Sequence, residues 1–177
     1  MIIEYRGKRP KIAGSAFVAP TAVLIGDVEV GEEASIWFGA VVRGDNGPIR
    51  IGARTSIQDN AVVHVSGSRG THIADDVTVG HCAVMEDCRI ERHALIGSNA
   101  TLLNGSSVGE GALIAAGSVV GENVAIPRRV VAAGAPATVR KALEGKSAEW
   151  IELAAEEYVG LSRFYLAQSI GTVEDQG

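Results

Sequence analysis

Residues 90–126 read IERHAL IGSNAT LLNGSS VGEGAL IAAGSV VGENVA I when they are written in groups of six. An aliphatic residue opens every group, and a small or acidic residue often follows it. A period of six matches neither the 3.6-residue repeat of an α-helix nor the alternation of a simple strand. It is typical of a parallel β-helix, in which each group of six supplies one short strand and one corner. Seven successive matches make a chance run of aliphatic residues a poor explanation.

The same period runs through the first half of the chain, at Val18, Leu24, Val30, Ile36, Val42, Ile51, Ile57, Val63, Ile73, Val79 and Met85. Three groups complete one triangular coil, so residues about eighteen positions apart stack at one strand spacing, about 4.8 Å. We name faces A, B and C after Ile51, Ile57 and Val63. Every break in the period then falls at the corner between faces C and A. Irregular corners along one edge are typical of functional loops.

The composition agrees with a repeated aliphatic core. Of 177 residues, 46% are hydrophobic and only 5% aromatic, and the net charge is −5. This balance excludes a disordered chain and gives no basic surface for nucleic acid. No apolar run is long enough to span a bilayer, and the N-terminus does not resemble a signal peptide. We therefore expect a cytoplasmic protein that binds neither membrane nor nucleic acid, with Cys82 and Cys88 unpaired.

The repeat ends near residue 137. Residues 147–168 have the spacing of an amphipathic helix. We predict an all-β chain in which residues 1–137, including a short N-terminal segment, form the β-helix. Residues 138–177 are predicted to hold an α-helix that packs on it.

Polar residues follow the aliphatic position of face C in three successive coils. They are Arg43, His64 and Glu86, and we expect them to stack at one strand spacing. His81 lies near the corner after face B. Two histidines and one carboxylate are a known metal-ligand set that leaves coordination positions open. An electrostatic ladder on a polar surface explains the same residues equally well at this point.

Three motifs resemble the γ-class carbonic anhydrase-like family of the hexapeptide-repeat superfamily. They are Arg43-Gly44-Asp45, residues 51–64 and residues 77–81, and the resemblance extends over nearly the whole chain. It implies a left-handed parallel β-helix and a homotrimer acting on CO2 or bicarbonate. It also implies one divalent metal per subunit interface, zinc first and iron as the alternative.

The resemblance assigns metal-ligand positions to this chain. His64 and His81 match the first two histidine ligands of the family, which come from neighbouring subunits. The third histidine belongs five residues after His81, where this chain has Glu86. A carboxylate lowers the net positive charge at the metal, so we expect CO2 hydration to be weak or absent.

Other positions of the family pattern are also matched. Arg43 and Asp59 resemble a salt-bridged pair across the trimer interface. Asp45 and Gln58 match residues that orient solvent or bicarbonate, and Tyr158 resembles a helix tyrosine that approaches the pocket. At position 46, where some active members have a proton-shuttling glutamate, this chain has asparagine.

Two other functions are compatible with the sequence. The chain could be a metal-free pseudoenzyme or small-ligand scaffold, in which Glu86 pairs with a histidine or with Arg43. It could also be an acyltransferase, as many hexapeptide-repeat proteins are, although its motifs match the carbonic anhydrase pattern more closely.

Overall fold

A computed structural model describes residues 1–67 and 69–171, with nothing described for the Glu152 side chain. The chain winds as a left-handed parallel β-helix that is followed by an α-helix. The predicted fold is therefore confirmed. The end of the predicted C-terminal segment, residues 172–177, lies outside the described part. Among the described residues, no helix is long and apolar enough to cross a membrane.

The elements in chain order are β1 (Ile2–Ile3), β2 (Lys11–Ile12), β3 (Phe17–Val18), β4 (Val23–Val30), β5 (Ser35–Ile36), β6 (Val41–Ile51), β7 (Ser56–Ile57), β8 (Val62–His64), β9 (Thr71–Ile73), β10 (Thr78–Val79), β11 (Val84–Glu86), β12 (Arg89–Ile90), β13 (Leu95–Ile96), β14 (Thr101–Leu102), β15 (Ser107–Val108), β16 (Leu113–Ile114), β17 (Val119–Val120), β18 (Ala125–Ile126), β19 (Val130–Ala133), β20 (Thr138–Ala142) and α1 (Lys146–Ala167).

The strands stack on three faces, as the period predicts. Strands β3, β5, β7, β10, β13, β16 and β19 form face B. Strands β8, β11, β14 and β17 lie on face C, and β9, β12, β15 and β18 lie on face A. The long strands β4 and β6 bend around the C–A corner, so each contributes its first half to face C and its second half to face A. The irregular corner therefore joins two faces into one continuous sheet.

The interior is filled by the residues that the period selects. Every aliphatic position predicted from the six-residue repeat is buried, with an exposed fraction of 5% or less. The residues that flank them on the strands point outward and are generally more exposed, as the alternation along β4 and β6 shows. Close stacking also fixes some small residues. A Cβ added at Gly52 would lie 2.5 Å from the carbonyl carbon of Ala74 in the next coil.

The corners use the left-handed backbone region, and glycine is not always the residue that occupies it. Asn60 and Cys82 have φ angles of 58° and 59° at successive corners between faces B and C. Asparagine adopts this conformation more readily than most residues. Cys82 and Cys88 are both free, as predicted.

An aromatic cluster attaches α1 to face B. The ring of Trp37 lies 4.9 Å from Phe17, 5.9 Å from Tyr158 and 5.6 Å from Tyr165, measured between centroids. The Trp37 indole nitrogen also donates hydrogen bonds to the hydroxyls of Ser35 and Ser56. Helix α1 thus covers the first coils of face B. Before it, β20 reverses and pairs antiparallel with β19, which the sequence pattern did not predict.

Candidate metal centre

The predicted ladder on face C is present in register. In the parallel pairing of β6, β8 and β11, Arg43 lies opposite His64 and His64 lies opposite Glu86. The aliphatic residue before each of them points into the core, so the three polar side chains share the outer surface. They stand where strands leave face C for the C–A corner.

Hydrogen bonds define the tautomer of His64. An Arg43 guanidinium nitrogen, Nη2, lies 3.1 Å from His64 Nε2, and the Arg43 carbonyl oxygen lies 3.1 Å from His64 Nδ1. A guanidinium only donates hydrogen bonds, so Nε2 must accept and Nδ1 must carry the proton. In this arrangement Nε2 presents the lone pair that a metal would need.

Asp45 completes the surroundings of His64. Its Oδ2 accepts a hydrogen bond from Arg43, while its Oδ1 is buried and has no hydrogen-bond partner among the described residues. Burial alone would raise the pKa of Asp45. The hydrogen bond and charge of Arg43 outweigh that effect and hold the pKa below its ordinary value of 3.8. The carboxylate is thus charged at neutral pH, and its Oδ1 lies 3.8 Å from His64 Nδ1, beyond hydrogen-bond distance.

His81 lies at the other edge of face C, at the corner where the chain leaves face B. Its Nδ1 is 2.9 Å from Asp59 Oδ2, and the side chains of His81 and Asp59 are 51% and 36% exposed. A carboxylate at Nδ1 favours the proton there and leaves Nε2 as an acceptor. Both predicted histidine ligands therefore have Nδ1 engaged by an oxygen.

Gln58 and Tyr158 lie on the same side of the chain as His81. Gln58 directly follows β7 and is buried, with an exposed fraction of 4%. Burial raises the pKa of the half-buried Tyr158, and the charge of Asp59 raises it further. Tyr158 is therefore a protonated phenol at neutral pH, and it lies near Asp59, the carboxylate that contacts His81.

One chain does not bring all the predicted ligands together. Among residues 1–67 and 69–171, no three histidine, cysteine, aspartate or glutamate side chains form a group that could hold a metal. His64 and Glu86 are adjacent at the C–A edge, while His81 and Asp59 are adjacent at the B–C edge. A groove with a volume of about 700 Å³ lies on face A and includes none of these residues.

The sequence did not indicate two carboxylate contacts that shape the site. One is the Asp59 contact to His81, described above. The other belongs to Asp87, whose Oδ2 accepts hydrogen bonds from the backbone and hydroxyl of Ser66 and from the backbone of Gly67. Asp87 thereby fixes the loop that follows His64. The only signal in the sequence is its position next to Glu86.

Comparisons with known proteins agree with these features. A family model described as the GMPPB C-terminal domain matches residues 45–150. A carbonic anhydrase of Geobacillus kaustophilus is 43% identical over 94% of this chain and 92% of its own length. The mitochondrial γ carbonic anhydrase 2 of Arabidopsis thaliana is 40% identical over 94% of this chain, which spans 62% of that relative.

A solved structure gives the same overall shape. A Bacillus cereus protein, described provisionally as an acetyltransferase, superposes with a TM-score of 0.93 at 42% identity, covering 95% of this chain and 98% of that one. Near-complete coverage by relatives at this identity, together with the β-helix, establishes the relationship. The chain belongs to the γ-class carbonic anhydrase-like family.

Proposed function

We propose that the protein is a homotrimer with a divalent metal site at each subunit interface. His64 and Glu86 of one chain and His81 of the next supply the ligands. Zinc is the first expectation and ferrous iron the alternative, because two histidines and one carboxylate suit both. We further propose a cytoplasmic location and weak or absent CO2 hydration.

The oxygen partners at Nδ1 of the two histidines are the observation that carries this proposal. The backbone carbonyl of Arg43 holds Nδ1 of His64, and Asp59 holds Nδ1 of His81. Oxygen partners at the second ring nitrogen are usual for metal-ligating histidines, because they fix the ring and raise its basicity. The donor set of the chain therefore fits a divalent cation once a second chain brings the two edges together.

The remaining residues have roles that follow from their positions. When bound, a divalent ion would supply Lewis acidity and lower the pKa of water at the site. Asp45 Oδ1 lies 3.8 Å from His64 Nδ1 and accepts no hydrogen bond among the described residues, so it can accept one from a bound group and orient it. Gln58 offers both a donor and an acceptor, which suits bicarbonate, and Tyr158 can donate from its phenol.

Glu86 is the residue that limits the reaction. Three neutral histidines would leave the full positive charge of the cation at the site, whereas the Glu86 carboxylate neutralises part of it. Asn46 also lies in an exposed position of the C–A corner where an acidic side chain could relay protons, and an amide cannot. Both residues point to slow proton release and hence to weak hydration.

Elemental analysis of the purified protein tests the metal site. We expect a stoichiometric transition metal in the wild type and its loss in His64→Ala. Protein that stays metal-free after incubation with zinc would refute the site and favour the non-catalytic scaffold. A His72→Ala variant is the matched control, since His72 lies on face A and should retain the metal.

An acyltransferase is the second candidate function. The Bacillus cereus relative, 42% identical, is described provisionally as an acetyltransferase, which favours this alternative. Saturable binding of acetyl-CoA by isothermal titration would support it. Heat signals that do not saturate would leave the metal-site proposal as the better explanation.

A further inference from the structure

The corner between faces A and B holds a column of residues, one from each coil. From the second member onward, the backbone N–H of each donates to a carbonyl oxygen in the corner one coil earlier, so the members stack along the corner. All of them have left-handed φ angles, between 51° and 61°. In chain order the column is Glu33, Arg54, Asp76, His93, Gly111 and Arg129. Since Gly111 has no side chain, the column has a gap between His93 and Arg129.

Opposite charges neutralise one another in the first part of this column. Glu33 pairs with Arg163 of α1, and Arg54 Nε lies 2.6 Å from Asp76 Oδ1. Arg129, on the far side of the gap, forms no ion pair with any residue that the structure describes. The column therefore ends in an uncompensated positive charge.

Further basic residues collect at the same end of the β-helix. Residues 128–146 contain five basic side chains and one acidic side chain, although the whole chain has a net charge of −5. Arg128 and Arg129 lie at the corner between β18 and β19. The backbone N–H of Leu143, just after β20, donates to the Arg129 carbonyl oxygen at 2.9 Å. The corner arginines thus lie beside β20, which adds two exposed basic residues, and this end of the molecule attracts anions.

A cavity of about 200 Å³ lies at the gap in the column. Its lining includes four polar residues and two buried apolar ones, which are His93, Glu110, Arg128, Arg129, Leu143 and Ile151. Among the described lining residues Glu110 is the only acid. It lies 3.5 Å from Arg128, and the two side chains are 53% and 70% exposed. A pair this exposed is weak, so Glu110 leaves both guanidinium groups available to a ligand.

We propose that this cavity binds the phosphate group of a small molecule, and none of its residues belongs to the proposed metal site. The two neighbouring guanidinium groups present planar pairs of N–H donors, which match phosphate oxygens. A phosphomonoester suits them better than a carboxylate, because it has nearly two negative charges and three acceptor oxygens at neutral pH. His93, whose Nε2 lies 3.8 Å from Asp76 and beyond hydrogen-bond distance, adds a ring N–H.

The size and the apolar part of the lining restrict the ligand further. A volume of about 200 Å³ lies below the lower limit of about 300 Å³ that is typical for drug-sized ligands. Leu143 and Ile151 give a carbon substituent an apolar wall. The cavity therefore suits free phosphate or a small phosphate ester.

Isothermal titration calorimetry of the full chain with phenyl phosphate tests this site. Arg129→Asn removes one guanidinium and keeps a residue type that accepts the left-handed backbone. Gly111→Asn keeps every charge and fills the gap, since an added Cβ would lie 3.6 Å from Arg129 Cγ. We expect saturable binding by the wild type and about 10-fold weaker binding by both variants, equivalent to the loss of one charge-assisted hydrogen bond. Lys141→Gln, which removes a nearby charge outside the cavity, is the matched control and should bind within about 2-fold of the wild type.

Wild-type protein that gives no saturable heat with millimolar phenyl phosphate would overturn the site. Full affinity in Gly111→Asn, or an equal loss in Lys141→Gln, would also overturn it, because either result indicates diffuse attraction to the basic surface. Inorganic phosphate that binds as tightly as phenyl phosphate supports free phosphate as the ligand, whereas tighter binding of phenyl phosphate supports an ester that uses the apolar wall. If Arg129→Asn loses the native circular dichroism spectrum, Arg128→Gln repeats the test.

Discussion

Replacing Asp59 by asparagine should weaken metal binding, although Asp59 is not a proposed ligand. Asp59 Oδ2 lies 2.9 Å from His81 Nδ1 and is its acidic partner at the B–C edge. Asparagine keeps the size of the side chain and can still accept a hydrogen bond through its amide oxygen. It removes the negative charge that faces Nδ1 of His81. The substitution therefore tests the electrostatic part of the contact alone.

The solvent exposure of His81 and Asp59 determines how much metal affinity Asp59→Asn should lose. Loss of a carboxylate that orients a metal-bound histidine typically costs 10- to 100-fold in metal affinity. His81 and Asp59 are 51% and 36% exposed, so solvent screens their interaction and the lower end applies. We expect the zinc dissociation constant to rise about 10-fold, equivalent to about 1.4 kcal/mol.

Competition with a fluorescent zinc chelator, at fixed pH, measures this change. Glu91→Gln is the matched control, because it removes a carboxylate from an ion pair of similar exposure, with Arg89 on face A. Unchanged affinity in Asp59→Asn, or an equal loss in the control, would refute the orienting role. Sedimentation of the same sample shows whether Asp59→Asn has instead separated the chains.

Four further predictions concern activity and stability. Glu86→His should raise the CO2 hydration rate by about 10-fold or more, equivalent to about 1.4 kcal/mol of barrier, in a stopped-flow assay at matched metal content; no gain would refute the charge argument. Trp37→Ala should lower the free energy of unfolding by about 3–5 kcal/mol in denaturant titrations, because it empties the centre of the aromatic cluster; a loss below about 1 kcal/mol would contradict that packing. Burial would raise the pKa of Asp76, but its arginine partners hold it below 3.8. The carboxylate therefore stabilises the fold at neutral pH and ceases to do so as the pH falls below about 4, so Asp76→Asn should reduce the acid loss of stability in pH-dependent melting. Gly160→Ala should stabilise the protein by about 1 kcal/mol in thermal melts, because a Cβ there meets nothing within 4 Å; destabilisation would indicate a contact with another chain at this position.

The buried core and the polar ladder could be predicted because, in a repeat, counting residues gives the register in which neighbouring strands pair. Once Ile57 is assigned to face B and the breaks are placed at the C–A corner, the later aliphatic positions follow, and Met85 is buried where the count puts it. The same count places Arg43, His64 and Glu86 on one line of face C, and the strand register agrees. A local pattern sufficed because neighbouring coils differ in sequence but share the same strand geometry on each face.

Features outside the period could not be predicted in this way. Strand β20 reverses direction where no repeat remains to define its partner. The ring centroids of Phe17 and Tyr165 lie 5.5 Å apart although the two residues are far apart in the sequence. This contact could not be predicted, because the docking of α1 depends on the shape of the completed face B. The Asp59–His81 contact depends on side-chain directions at a corner, and periodicity carries no information about them.

Arg43 connects the geometry of the proposed metal ligands to the assembly of the proposed trimer. Its guanidinium donates to His64 Nε2, the nitrogen that the proposed metal requires, so it must move before an ion can bind. The family resemblance gives Arg43 a different partner, Asp59 of the neighbouring chain. Asp59 Oδ2 is engaged by His81, but a carboxylate has a second oxygen and can accept from both. In the proposed trimer, the approach of one B–C edge therefore brings His81 to the site and gives Arg43 an acceptor in place of His64. Trimer assembly therefore frees Nε2 of His64 in the same step that brings His81 to the site. An isolated chain should bind metal poorly even though His64 and Glu86 are already in register.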